Sequence, residues 1–252
     1  MTGDRAVSDV LGFVIVFSLV ASTVGIVSVT GLGILQDARN AEQLNNAERA
    51  FDVLADNMAD IHREGAPSRS TEIKLTSAQL EVRPPVTINV TGVTPSDTTV
   101  NPNVSYSTVP IAYDGRSDTD IVYEAGAVFR DAPQGGVVTE EPPFRFADGE
   151  VIIPIIQIQH PGNITSVGGG TVRIRAERAV REPLPEFVKR EADYSALIVN
   201  VTSPRYRLWR RYLEDDAEAT CSITRPETVQ CRIDDPKRLA VTRTLINIQF
   251  ET

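Results

Sequence analysis

The stretch that decides the fold is VLGFVIVFSLVASTVGIVSVTGLGIL, residues 10–35, in which none of the 26 residues is charged. A bilayer core about 30 Å thick is crossed by roughly 20 helical residues, so this stretch is long enough to span it. A buried core helix is usually shorter, and a cleaved secretory signal has an apolar region of only about 7–15 residues. The nearest small-residue cleavage site, Gly31-Leu32-Gly33, fits such a signal poorly. The sequence therefore predicts a retained transmembrane helix.

The helix is predicted to continue beyond the membrane. After residue 35, apolar residues recur every three or four positions and so form one stripe on a helix. The stripe consists of Ala38, Ala41, Leu44, Ala47, Phe51, Leu54, Met58 and Ile61. Gly65 and Pro67 then form a stop signal. We expect a long helix over residues 7–65 whose stripe packs on the chain's own globular part, on partner helices, or on both.

Residues 66–252 have the pattern of a β-rich domain, with short β-branched runs broken by Pro and Gly. Strands are predicted at 71–82, 86–91, 104–113, 121–130, 151–159, 170–180, 194–201, 219–224, 230–234 and 240–251. Triple glycine at 168–170 is among the predicted turns. The fold class is therefore α+β: a long N-terminal helix, half transmembrane and half amphipathic, followed by a mainly antiparallel β-sandwich-like domain.

One segment of this domain is predicted to be helical. Ser203 is a suitable N-cap and Pro204 a suitable first residue for the sequence RYRLWRRYLEDDAEA that follows. Tyr206, Trp209 and Leu213 then share one face. We expect a short helix that packs the single Trp on the sheet.

The composition excludes several classes of function. A net charge of -9 argues against nucleic-acid binding, which needs a basic face for phosphates. Of the 25 basic residues only three are Lys, namely Lys74, Lys189 and Lys237. An acidic, Lys-poor surface is typical of halophiles. A GC-rich genome also lowers the number of Lys relative to Arg. Two Cys and two distant His provide no metal-ligand spacing. No cofactor or metal site is predicted.

No catalytic motif is found in the sequence. His62 and His160 each lack a neighbouring residue that would orient them as a base. The acidic pairs Glu140-Glu141, Asp215-Asp216 and Asp234-Asp235 are interpreted as solvated turns, although a carboxylate dyad could lie among them. We therefore expect no enzyme, and keep a membrane-tethered hydrolase as a minor alternative.

Two features suit an exported chain. Four N-x-[ST] sequons make Asn89, Asn103, Asn163 and Asn200 glycosylation candidates, with Asn200 the weakest because it lies in a predicted strand. Cys221 and Cys231 lie ten residues apart around a turn, a spacing that suits a disulfide across a hairpin. The alternative for the two cysteines is a pair of buried free thiols.

The sequence DRAVSDVLGFV, residues 4–14, resembles the N-terminus of haloarchaeal type IV pilins and pilin-like proteins. In that family a charged and a small residue precede the cut made by the prepilin peptidase, and the apolar helix that follows the cut is kept. The resemblance assigns the recognition residues to Arg5 and Ala6, makes residues 1–6 the leader, and makes Val7 the new N-terminus. The chain departs from the family at Asp9, where pilins usually have Pro, and at Leu11, where they have Ile.

The resemblance implies a minor pilin or pilin-like surface protein. Its expected partners are the membrane, the prepilin peptidase and other pilin-like subunits that contact the N-terminal helix, together with a glycan or protein ligand of the β-domain. Arg5 precedes the span and acidic residues dominate after it, which favours a cytoplasmic N-terminus and an extracellular C-terminal domain. The main alternative is an uncut, permanently anchored envelope protein whose β-domain binds a glycan or another surface protein.

Overall fold

The computed structural model describes residues 3–96, 99–115, 118–189 and 194–252; the side chains of residues 3–9, 99–102 and 180–189 fall outside that description. The chain divides into two units, Met1–Gln43 and Leu44–Thr252. Helix α1, Gly3–Arg63, contributes residues to both units.

The first unit consists of the apolar part of α1. Every large apolar side chain between residues 10 and 35 is at least half exposed, from 50% at Val14 to 75% at Val29. From Val10 onward the helix is long and apolar enough to cross a membrane, with a mean hydropathy of 2.6 in its most apolar window. Within the described part of the chain nothing covers this surface, which in water carries a free-energy cost of about 25 cal/mol per Å² of apolar area.

The second unit contains residues 44–63 of α1, a second helix and, within the described part of the chain, fourteen strands. The strands are β1 Ser68–Val82, β2 Val86–Val93, β3 Thr99–Thr108, β4 Ile111–Asp114, β5 Asp120–Glu124, β6 Ala127–Asp131, β7 Val137–Glu140, β8 Arg145–Ala147, β9 Glu150–Gln159, β10 Ser166–Lys189, β11 Ala196–Thr202, β12 Thr220–Arg225, β13 Thr228–Asp234 and β14 Arg238–Glu251. Helix α2, Tyr206–Asp216, lies between β11 and β12.

The strands form two sheets. The nine-stranded sheet has the order β7-β6-β5-β4-β1-β10-β14-β9-β8, and the five-stranded sheet has the order β12-β13-β11-β2-β3. All pairs are antiparallel except β9 with β14, which are parallel. Strand β9, EVIIPIIQIQ, is buried on both faces, and this accounts for its nearly continuous apolar run.

Two hydrophobic cores lie on opposite faces of the nine-stranded sheet. In one, Leu44, Phe51, Leu54, Met58 and Ile61 of α1 pack on strand residues such as Ile73, Leu75, Val172, Ile174, Ile246 and Ile248. In the other, the five-stranded sheet and α2 pack on strand residues that include Phe129, Ile153, Ile155 and Val241. The alternation along β9, where residues 153 and 155 face one core and residues 156 and 158 the other, follows from the two-residue period of a strand.

The predicted fold class is confirmed: a long N-terminal helix precedes a mainly antiparallel β-rich domain with one short helix. The predicted stripe is buried against the chain's own sheet from Leu44 onward, whereas Ala38 and Ala41 are exposed. Trp209 is fully buried, and Leu213 with it. Tyr206 is only partly buried against the same core.

Several predicted boundaries were wrong. The predicted strand 104–113 is two strands, β3 and β4, which belong to different sheets. The predicted strand 121–130 is the hairpin β5–β6, because Ala125 and Gly126 turn the chain with φ values of 53° and 97°. Glycines 168–170 lie inside β10 rather than in a turn, opposite a register shift in β1 between Leu75 and Gln79. Strands β7 and β8 were not predicted.

The start of α2 also differs from the prediction. The N-cap residue is Arg205, which makes no side-chain cap hydrogen bond, and the helix proper begins at Tyr206. Ser203 still acts locally, since its Oγ accepts a hydrogen bond from the backbone N–H of Arg205 at 3.0 Å. Ser203 and Pro204 therefore form the turn that leads into the helix, not its N-cap and first residue.

Candidate functional site

The residues of the predicted leader cut lie at the start of α1. Arg5, Ala6 and Val7 have helical backbone, and their side chains lie outside the described residues. Asp9 also has helical backbone, and its side chain likewise lies outside the described residues. The cut between Ala6 and Val7 remains a prediction.

The outer face of the five-stranded sheet is the second candidate surface. Because side chains alternate along each strand, every second residue of β2, β3, β11, β12 and β13 points away from the core. We call these outward residues the polar face: Thr87, Asn89, Thr91, Asn103, Ser105, Ser107, Ile198, Asn200, Thr202, Thr220, Ser222, Arg225, Thr228, Gln230, Arg232 and Asp234. Its charged members, Arg225, Arg232 and Asp234, lie on β12 and β13, whereas the outward residues of β2, β11 and the described part of β3 carry no charge.

Amides and hydroxyls of the polar face are paired across strands. The registers place Ser222, Gln230, Asn200, Asn89 and Ser105 in one row across all five strands. Within the row, Gln230 Nε2 donates to Asn200 Oδ1 at 3.0 Å. Within β2, Thr91 Oγ1 donates to Asn89 Oδ1 at 2.9 Å. Between β11 and β13, the hydroxyls of Thr202 and Thr228 lie 3.1 Å apart. Such cross-strand pairs stabilise a sheet by about 0.2–1 kcal/mol each.

Three of the four sequons meet on this face. Asn89, Asn103 and Asn200 lie on the adjacent strands β2, β3 and β11, and Asn163 lies apart in the exposed connection between β9 and β10. The sequence did not reveal this convergence, because strand order is needed to see it. A partial signal was present: in a strand, residues i and i+2 share a face, so the Asn and the Ser or Thr of a sequon point the same way.

The predicted disulfide between Cys221 and Cys231 is confirmed, and the alternative of two free thiols is wrong. The two cysteines are directly opposite each other on β12 and β13, with their Cα atoms 4.1 Å apart. Cys231 is fully buried in the core under the polar face. The bond therefore ties edge strand β12 to the sheet.

The two histidines are held by structural contacts. His62 Nδ1 lies 2.8 Å from Thr244 Oγ1 in the interior. His160 Nδ1 lies 3.1 Å from the Ile248 carbonyl oxygen, and its Nε2 lies 2.7 Å from the Ile164 carbonyl oxygen. In this geometry the ring holds the β9–β10 connection against β14.

The predicted acidic pairs lie in two exposed regions. A cleft of about 270 Å³ is lined by six carboxylates, Asp148, Glu150, Asp216, Glu218, Asp234 and Asp235, and by no His, Ser or Cys. Arg238 and Arg232 pair with two of them, Glu150 and Asp234. Among the residues that the structure describes, no group of three or more His, Cys, Asp or Glu is arranged to hold a metal ion.

The pair Glu140-Glu141 is a point of charge repulsion. Burial raises the pKa of Glu140, and the nearby carboxylates of Asp52 and Asp56 raise it further. Burial also raises the pKa of Glu141, as do the charge of Asp216 and a hydrogen bond to it. Each member of the pair thus faces like charge from a different helix.

A family model matches residues 5–249 and carries the description of a family of unknown function, DUF7289. The chain belongs to DUF7289. No curated protein and no solved structure matches the chain. The DUF7289 match begins at Arg5 and runs almost to the end of β14, so the family is defined over the apolar helix and the β-rich domain together. All four sequons and both cysteines fall within the matched residues.

Proposed function

We propose that the chain is a pilin-like cell-surface protein, anchored in the membrane by its N-terminal helix and able to join an archaeal type IV pilus-like filament in adhesion or surface interaction. The observation that carries the proposal is the contrast along α1. The large apolar side chains of residues 10–35 are all exposed, whereas from Leu44 the same helix is buried in the chain's own core. The first part is therefore free to contact lipid or other helices, and the second part links it to the β-rich domain.

The chemistry of the exposed part suits both environments. Exchanging lipid for neighbouring helices costs little hydrophobic free energy, so close packing decides whether helices associate in a membrane. Ala21 and Gly25 lie four residues apart, as do Ser18 and Ser22, and such spacing lets helix backbones approach. A Cβ added to Gly25 would meet no atom within 4 Å, so packing inside this chain does not require a glycine there.

Leader removal provides the assembly step of the proposal. A cut after Ala6 would remove residues 1–6 and leave a free amine on Val7. Asp9 follows two residues later in the sequence, and a charge in an apolar environment is tolerated where it is paired with an opposite charge. An amine of one subunit could equally pair with Asp9 of the next, which would compensate for the charge in the apolar segment.

Export is supported by the disulfide. Disulfides persist in oxidising compartments and are rare where thiols are kept reduced. The Cys221–Cys231 bond lies in the β-rich domain, which the proposal places outside the cell.

The test is the mature N-terminus of the full chain, determined by mass spectrometry of the membrane fraction and of filaments sheared from cells. We expect a chain that begins at Val7 in both fractions. Arg5→Ala should block the cut and remove the chain from filaments, whereas Arg39→Ala, the same change of charge on the same helix, should leave both unchanged. A native chain that keeps Met1 to Ala6, or processing that is indifferent to Arg5→Ala, would reject the pilin-like function.

The second candidate is an uncut envelope protein whose β-domain binds a glycan or another surface protein. The polar face favours it, because neutral amides and hydroxyls are the groups that hydrogen-bond sugar hydroxyls. A membrane-bound chain with an intact N-terminus that is missing from sheared filaments would select this candidate.

A further inference from the structure

Strand β3 forms one edge of the five-stranded sheet, and its ten residues, TVNPNVSYST, carry no charge. An edge strand presents unpaired backbone groups to which another chain can add a strand, and proteins block such edges with charges, Pro, bulges or covering segments. Near its start β3 has two of these features, Pro102 and a register shift against β2 between the pairs Thr91–Asn103 and Gly92–Val100. Near its end, Gln157 of β9 donates to the Ser107 carbonyl oxygen at 2.8 Å. Asn103 lies between Pro102 and the contact at Ser107.

Asn103 differs from the two neighbouring sequon residues in its position. Its side chain is exposed, as is that of Ser105, the hydroxyl residue of the same sequon. Its Oδ1 accepts a long hydrogen bond of 3.4 Å from Asn89 Nδ2. Asn89 and Asn200 are half-buried on interior strands, and their Oδ1 atoms accept bonds of 2.9 and 3.0 Å. Of the three strands that carry these sequons, only β3 is an edge strand and can leave the sheet by breaking a single ladder of hydrogen bonds.

The surface beside Asn103 is chemically suited to a sugar. It is the part of the polar face formed by β2 and β11, whose outward residues carry no charge; Arg225, Arg232 and Asp234 lie on β12 and β13, which are not adjacent to β3. A neutral array of hydroxyls and amides offers donors and acceptors to a glycan and little attraction to a polyion.

We propose that Asn103 is an N-glycosylation site, and that its glycan lies over the polar face and covers the open edge of β3. The proposal rests on the export proposed above, because the reaction takes place outside the cytoplasm. Nδ2 of Asn103 forms a bond to the anomeric carbon of an oligosaccharide carried on a polyisoprenyl phosphate. The bond from that carbon to the phosphate oxygen breaks, and one Nδ2 proton is taken up by the released phosphate. The attached sugar then prevents a second chain from pairing with β3.

The experiment uses the full chain, produced in an archaeal host that makes lipid-linked oligosaccharides. Residues 84–115 contain no Lys or Arg, so Asn89 and Asn103 share one tryptic peptide and must be distinguished by electron-transfer fragmentation. Ser105→Ala removes the Asn103 sequon and Ser105→Thr keeps it, while Thr91→Val removes the neighbouring Asn89 sequon as a matched control. Labelling of the exposed Lys74 and Lys237 with a membrane-impermeant amine reagent on intact cells reports export independently.

We expect glycan on Asn103 in the wild-type, Ser105→Thr and Thr91→Val chains, and complete loss in Ser105→Ala and Asn103→Gln. In size-exclusion chromatography in detergent, Asn103→Gln should elute as larger species than Thr91→Val, because its β3 edge is uncovered and can pair with a second chain. An unglycosylated Asn103 in a chain whose lysines are labelled from outside the cell overturns this proposal but not the proposal that the chain is exported. Unlabelled lysines on a bare chain overturn both proposals. A glycosylated Asn103 whose loss does not change the elution overturns the covering of the edge.

Discussion

Trp209 of α2 donates its indole N–H to Glu124 Oε1 at 2.7 Å, and Arg205 donates its Nε–H to the other carboxylate oxygen at the same distance. Glu124 is fully buried at the end of β5, and Arg205 is 8% exposed. A buried charge is tolerated only where it is paired and hydrogen-bonded. These contacts fix α2 on the nine-stranded sheet.

Glu124→Gln is therefore expected to destabilise the second unit strongly. The amide keeps the shape of the carboxylate but leaves the Arg205 cation buried, with Asp131 at 3.9 Å as its remaining acidic neighbour. Breaking a buried ion pair by removing one partner costs about 3–5 kcal/mol. Urea unfolding of the detergent-solubilised full chain, followed by fluorescence of the single Trp, measures the loss.

Glu214→Gln is the matched control for this prediction. Glu214 pairs with Arg210 on the exposed side of the same helix at 2.8 Å. Such an i,i+4 pair is worth about 0.3–0.5 kcal/mol. Equal unfolding midpoints for the two variants would show that the buried pair does not fix α2.

The disulfide is expected to stabilise the β12–β13 hairpin against unfolding. Closing a loop of this length restricts the unfolded chain, and its removal costs about 2–3 kcal/mol. Cys221→Ala combined with Cys231→Ala should lower the unfolding free energy by that amount. Reductant should lower the unfolding free energy of the wild-type chain to that of the variant, and should not change that of the variant. A wild-type chain that unfolds identically with and without reductant would contradict the prediction.

How far the sequence predicts the fold depends on how each element is buried. The apolar helix, the stripe from Leu44 and strand β9 are marked by long runs or a clear period, and their bounds were predicted to within four residues. The hairpin at Ala125 and Gly126 was missed because residues on both sides of the turn are buried, so the apolar run continues through it. Strands β7 and β8 are short and largely exposed, and they carry no periodic pattern.

The candidate site depends on contacts between strands that are distant in the sequence. Asn89 and Asn200 are opposite each other only because β11 lies beside β2, and 111 positions separate them along the chain. A two-residue period places an Asn on a face but does not say which strand lies next to it. The sequons could therefore be found one by one, whereas their grouping on the polar face could not.

The Glu140-Glu141 pair makes the stability of the second unit depend on pH and salt. Both pKa values are raised in the folded chain, by burial first and then by the neighbouring carboxylates. The folded state therefore binds protons more tightly than the unfolded state, whose Glu pKa is about 4.3. This contribution is absent at pH 7, increases as the pH falls through the folded values, and is complete below about 4.3.

Glu141→Gln is accordingly expected to raise Tm at pH 7 in low salt. The rise should be roughly 1–2 °C, because exposed charges interact weakly. It should shrink near pH 4, where the carboxyl is protonated, and in molar salt, where repulsion is screened to about 3 Å. Glu72→Gln is the control, since Glu72 accepts a hydrogen bond from Arg173 at 2.8 Å and its loss should not raise Tm. A rise that persists in molar salt would mean that repulsion is not its cause.

The turn between β5 and β6 is expected to tolerate no side chain at Gly126. Its φ of +97° is unfavourable for other residues, and a Cβ would lie 2.6 Å from Cδ of Pro143. Gly126→Ala should therefore cost about 2–5 kcal/mol, the sum of backbone strain and overpacking. Gly169→Ala separates the two causes, because Gly169 has a φ of +78° with no atom within 4 Å of an added Cβ, and should cost only about 1–2 kcal/mol. If the clash contributes, adding Pro143→Ala to Gly126→Ala should restore part of the lost unfolding free energy, as measured by urea unfolding. Equal losses for Gly126→Ala and Gly169→Ala would show that backbone strain alone determines the cost.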